Sequence, residues 1–141
     1  MNTYKFEEIT TGLTESFEVT VTEQMFAQFL SITGDVNPLH NDAEFAAQKG
    51  HSGKVAFGMM TASFLSTLAG VYLPGKNSLI HEVEVKFAKP VYAGDVLQVS
   101  GTVTECNETF RLFWMKVVIT NQKGEKVLRG KMRVGVLDEG E

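Results

Sequence analysis

In the run Thr33-Gly34-Asp35-Val36-Asn37-Pro38-Leu39-His40 a carboxylate and an imidazole stand five positions apart. An imidazole takes or gives a proton near neutral pH. A nearby carboxylate can fix the ring's tautomer and orientation, leaving the other nitrogen free, so the pair can polarise and hold one water. Farther on, Phe57-Gly58-Met59-Met60 places a glycine at the mouth of an apolar helix. The first N–H groups of a helix have no partner inside it and carry the positive end of its dipole, and glycine admits close approach. Such a donor suits a carbonyl oxygen on which charge develops. The plainer alternative is that Asp35 only braces the turn and His40 lies beside it.

The pair must be held off any regular helix. Pro38 has no N–H and biases Asn37 away from helical dihedrals, so a helix before Gly34 cannot run on through Leu39. Gly34 fits the left-handed residue that closes that helix, so Asp35 and His40 are expected to project from a loop. Upstream, Phe17, Val19 and Val21 alternate with polar residues as in a strand. Phe26, Phe29 and Leu30 then form a helical stripe that Thr20 or Thr22 can cap, with Thr20 and Glu23 spaced for a capping box. Downstream, Asp42 caps a short helix. The helix from Gly58 carries Met59, Met60, Phe64, Leu65, Leu68 and Val71, which predicts burial nearly all round, and Leu73-Pro74-Gly75 ends it. After it come four strand-like runs, among them Leu79, Val83, Val85 and Phe87 against Glu82, Glu84 and Lys86. Antiparallel strands following a long helix give an α+β domain.

The segment Gly34-Asp35-Val36-Asn37-Pro38-Leu39-His40 resembles the hydratase motif of the (R)-specific enoyl-CoA hydratases and their MaoC-like dehydratase relatives, which have the hotdog fold. The likeness continues through Gly58-Met59-Met60-Thr61-Ala62-Ser63, Leu73-Pro74-Gly75-Lys76 and the run from Val85 to Asp95. It implies one hotdog domain over residues 1–141, a curved antiparallel sheet wrapped around a long central helix. It also implies reversible hydration of a trans-2-enoyl thioester of coenzyme A or an acyl carrier, without cofactor. No metal is expected either, because Asp35 and Asn37 open a calcium-like loop that has His40 and Ala46 at its required glycine and glutamate positions, and His40, His51 and His81 lack zinc spacing. Asp35 and His40 match the catalytic pair and Gly58 the oxyanion-hole glycine. Asn37 matches a loop brace, and Ser63 a serine near the acyl pocket that orients the pair. Phe57 stands where the family usually has histidine, and its ring is expected to narrow the pocket or alter acyl preference. Dimerisation is implied too. A hotdog thioesterase would commonly carry an Asp or Glu on the central helix, which Met59 to Leu73 lacks, and a non-catalytic acyl-CoA sensor would have no use for the pair.

With 141 residues, 43% hydrophobic and 21% charged, the composition is that of one soluble domain. A net charge of −4 and no arginine-rich run argue against nucleic acid. A lone cysteine, Cys106, excludes an internal disulfide and fits a cytoplasmic setting. The polar stretch from Met1 to Thr11 does not resemble a targeting signal, and Met59 to Leu73 is too short and hydroxyl-rich to span a membrane. His51 reads as a solvated loop residue, His81 as a hydrogen-bonded strand residue, Cys106 as a buried or turn residue and Trp114 as packing. Lys86, Lys89, Arg129, Lys131 and Arg133 could gather into a basic strip on the sheet's outer face or at a dimer seam.

Overall fold

The computed structural model describes residues 1–138; the last three residues of the expected domain lie outside the described residues. After a short 3₁₀ turn at Phe6–Glu8 come β1 (Thr14–Thr20), α1 (Glu23–Thr33), α2 (Pro38–Asn41), α3 (Ala43–Gln48) and α4 (Gly58–Thr67). A wider turn at Leu68–Tyr72 prolongs α4, closed by the Leu73 amide on the Leu68 carbonyl. The remaining strands are β2 (Ser78–Phe87), β3 (Val96–Asn107), β4 (Leu112–Thr120) and β5 (Lys126–Val136). They form one antiparallel sheet in the order β1-β3-β4-β5-β2, so β1 and β2 are its edges.

The sheet curves around α4 and its extension, and the core lies between them. Val99, Val117, Leu128 and Met132 pack there with Leu65, Leu68 and Ala69, all 2% exposed or less. A Cβ on Gly101 would lie 3.0 Å from Leu68 Cδ2 and 2.7 Å from Met115 Sδ. A side chain at this position of β3 would push the helix off the sheet, which is why the curved layer needs glycine there.

α4 is apolar almost all round, yet this chain covers only one side of it. Met60, Thr61 and Leu65 are buried, whereas Met59 is 66% exposed and Ser63 and Ser66 are open. Beside this uncovered side runs β2, whose apolar residues are not buried as alternation predicts: Leu79 and Phe87 are each 51% exposed and Val83 45%. The two-residue period also breaks. Register shifts between Ile80 and Glu82, leaving His81 as the extra residue of a bulge, exposed and with its ring over Gly135.

Local signals elsewhere are met with adjustments. Thr22 caps α1 by accepting from Met25 N; Thr20 belongs to β1, so the expected capping box does not form. Gly34 closes α1 at φ 70°, its N–H bonded to the Leu30 carbonyl, and Asp42 caps α3 through Glu44 N and Phe45 N.

Candidate active site

His40 does not project from a loop as expected. Asn37 accepts from Leu39 N through Oδ1 and Pro38 takes the first helical position, so Pro38–Asn41 closes as one helical turn with His40 in it. Asp35 remains in the irregular link between α1 and α2. Its Oδ1 accepts from Asn37 N at 3.1 Å, and its own N–H reaches the Thr33 hydroxyl, which is anchored on the Phe29 carbonyl. Asn37 thus caps the turn that carries His40 while its N–H aims the Asp35 carboxylate.

The tautomer is not set as the sequence suggests. His40 Nδ1 lies 2.7 Å from the Val55 carbonyl oxygen. A carbonyl only accepts, so in the neutral ring Nδ1 carries the hydrogen and Nε2 presents a lone pair. The Asp35 Oδ2 oxygen lies 3.7 Å from that same Nε2. Two acceptors at this separation do not bond each other, but a water beside them can donate one O–H to each. The oxygen of that water then keeps its lone pairs for an electrophile.

Phe57, expected to narrow the pocket or alter acyl preference, is 3% exposed and packs behind His40, with ring centroids 4.2 Å apart, and does not line the cleft. Phe26 and Phe29 of α1 hold it from the other side. Its backbone carbonyl accepts from Met60 N and Thr61 N, so one residue ties α1, the imidazole and the start of α4 together.

Gly58 follows as the first residue of α4, where the helix supplies no acceptor for its N–H. It lines a cleft of about 340 Å³ with His40, Val55, Thr61, Phe87 and Val91. Asp35 stands outside this lining, its side chain 45% exposed. The Phe87 ring lies across Gly58, 3.3 Å from where a Cβ would sit. Amide, imidazole and the open cleft are therefore contiguous. A larger concavity, about 610 Å³, lies on the outer face of the sheet and contains neither member of the pair.

Ser63 is not brought to the pair. It is exposed on the uncovered side of α4, donates to the Met60 carbonyl and does not line the cleft. His51 contacts the Tyr92 hydroxyl at 3.0 Å and does not line the cleft. Cys106 lies near the end of β3, exposed, its thiol on the Ile9 carbonyl and pushed upward chiefly by burial. Of the expected basic strip, Lys86, Arg129 and Lys131 share one groove on the outer face; Lys89 pairs with Glu125 and lines the cleft, and Arg133 pairs with Glu82 outside the groove's lining. The Val55 carbonyl left no trace in sequence, because a backbone acceptor has no residue type. Phe87 could have been found, since it lies in the quoted run that resembles the family.

A curved sheet around a buried helix, with an acid, an imidazole and a helix-start amide at one opening, defines a hotdog domain of the hydratase class. Solved structures agree. The unliganded R-hydratase PhaJ1 from Pseudomonas aeruginosa superposes with a TM-score of 0.89 at 27% identity, over 95% of this chain and 86% of that one. The (R)-hydratase of A. caviae involved in PHA biosynthesis gives 0.88 at 28% identity, over 92% and 98%. Residues 5–125 match the family described as "MaoC like domain", and the chain belongs to that family. It is 29% identical over 135 residues to an (R)-specific enoyl-CoA hydratase of Rhodospirillum rubrum, covering 96% of this chain and 93% of that protein. It is 34% identical over 100 residues to a 3-hydroxybutyryl-CoA dehydratase of Methylorubrum extorquens, covering 71% of this chain and 64% of that protein.

Proposed function

We propose that this chain is an (R)-specific enoyl-thioester hydratase, adding water reversibly across a trans-2-enoyl thioester to give an (R)-3-hydroxyacyl thioester. The observation that carries the reading is the convergence of His40 Nε2 and Asp35 Oδ2 on one position, with Nδ1 already committed to Val55.

Water held by the pair attacks C3 of the enoyl group. As the C3–O bond forms, the C2–C3 double bond opens toward the thioester carbonyl, and one proton of the water passes to the pair. The Gly58 N–H donates to the enolate oxygen, a contact that strengthens as charge arrives there. The pair then returns the proton to C2, so one water is added and both residues are restored. Dehydration is the same path reversed. Asn37 and Phe57 hold the pair in place, and Phe87 borders the thioester. Nothing is oxidised or reduced, and the pair and the amide between them account for the proton and the developing charge, so the proposed reaction uses no cofactor and no metal.

The substrate is an acyl thioester of coenzyme A or of an acyl carrier. The edge strand β2 and the uncovered side of α4 support a homodimer joined through β2, which would cover Leu79, Val83 and Phe87. Among the described residues no helix is long and apolar enough to cross a membrane; the lone thiol fits a cytoplasmic setting.

Crotonyl-CoA supplies the test. Loss of the conjugated enoyl-thioester absorbance, with (R)-3-hydroxybutyryl-CoA as product on chiral analysis, supports the assignment. Release of free thiol without hydration would make the protein a thioesterase. Tight binding without turnover over a series of chain lengths would make it a sensor.

A further inference from the structure

The concavity on the sheet's outer face is electropositive although the chain is acidic. Lys86, Lys116, Lys126, Arg129 and Lys131 line it, against only Glu84 and Glu105, in a protein of net charge −4. Strand register sharpens this. Lys86 of β2 is directly opposite Arg129 of β5, and Lys131 of β5 directly opposite Lys116 of β4. Like charges facing across neighbouring strands destabilise a sheet, and here two such pairs adjoin. Of the five cations only Lys131 has an ion pair among the described residues, with Glu84 at 3.7 Å. An anionic surface laid on the groove would relieve the repulsion.

The groove meets the cleft at shared strand ends. Lys86 lines the groove and its neighbour Phe87 the cleft; Lys126 lines the groove and Val127 the cleft. Lys89, at the cleft, follows directly, its N–H on the Val127 carbonyl. A flexible arm tethered to something on the outer face can round this edge and deliver its end to Gly58. Trp114, the one aromatic side chain of the groove, has Lys131 and Arg133 over its ring, and the five cations are spread over β2, β4 and β5 rather than gathered round one phosphate-sized point. A broad, cation-studded sheet surface suits an acidic protein.

We propose that this groove docks an acidic acyl-carrier protein, whose thioester arm enters the cleft over Lys89. This rests on the hydratase reading and names the carrier. The test compares crotonyl thioesters of an acyl carrier protein and of coenzyme A, using wild type and a Lys116→Glu/Arg129→Glu double variant. Both changes replace facing like charges with opposite ones, so the melting temperature should hold or rise. On the carrier substrate, kcat/KM should fall at least about tenfold at low salt and lose its salt dependence. On the CoA thioester it should stay within about twofold, because no residue of the cleft is altered. Equal losses on both substrates, no loss on the carrier substrate, or a wild type that hydrates only the CoA thioester would overturn the proposal and leave the hydratase reading intact. A change in oligomeric state by sedimentation would assign the groove to a second copy instead. Hydration of neither thioester by wild type would defeat the reading on which the proposal stands.

Discussion

Replacing Gly58 by alanine separates catalysis from folding. Gly58 opens α4 and lacks the positive φ that an L residue would resist, and the three atoms nearest its added Cβ all belong to the Phe87 ring, at 3.3 to 3.6 Å. The contact is with the ring of a side chain at the end of β2 and not with backbone, so the ring can shift by the few tenths of an ångström required. Alanine also loses less backbone entropy than glycine on entering a helix. The stability change should therefore lie between zero and a gain of about 1 kcal/mol. The methyl group, however, would stand in the cleft beside the amide to which the proposed mechanism assigns the thioester oxygen, and displace the Phe87 ring that also lines that cleft. Weakening one oxyanion donor typically costs about 10²–10³-fold in turnover. Urea unfolding and steady-state hydration of crotonyl-CoA on the same preparation give both quantities. A Gly58→Ala protein of undiminished stability and full activity would refute the placement of the thioester at this amide. Loss of activity accompanied by loss of stability would refute the packing argument.

Three other substitutions follow from the geometry. Asn37→Ala removes the cap of the turn that carries His40 and should cost about 1 kcal/mol in urea unfolding, with a loss of kcat larger than that stability change implies. Phe57→Leu keeps the site apolar but takes the ring off the imidazole; a cost of about 1–2 kcal/mol with kcat reduced and KM nearly unchanged would identify Phe57 as a positioning residue. Tyr4 donates to Glu15, and that hydrogen bond, followed by burial, pushes its phenol from 10.0 up to about 12. A raised pKa stabilises the fold fully below 10.0 and loses this contribution as pH rises through about 12, so Tyr4→Phe should flatten the fall of melting temperature across that range.

Asp35, Asn37, His40 and Gly58 were legible because their signals are local: a proline that stops one helix, a glycine that closes it, and a glycine that opens another. The strands were legible from alternation, and the α+β class from their order after the helix. What the sequence could not supply depends on contacts distant along the chain. The His40 tautomer is set by a carbonyl fifteen residues away, at Val55. Hydrophobicity places Phe57 inside but does not say whether its ring faces the cleft or backs the imidazole. Ser63 sits on a helix so uniformly apolar that no periodicity tells which side is covered, and it falls on the open one. The bulge at His81 resets the alternation of β2 and cannot be seen without its partner strand. Cations scattered over β2, β4 and β5 become a patch only once register sets them opposite one another.

The central claim is that Asp35 and His40 act on one water as a single device. A double-mutant cycle tests it: hydration rates for wild type, Asp35→Asn, His40→Ala and the combined variant, with folding checked for each. Either substitution alone should cost about 10²–10⁴-fold, and the combined variant should fall no further than the weaker of the two, because the device is already lost. Losses that multiply, or full activity in either single variant, would contradict the account.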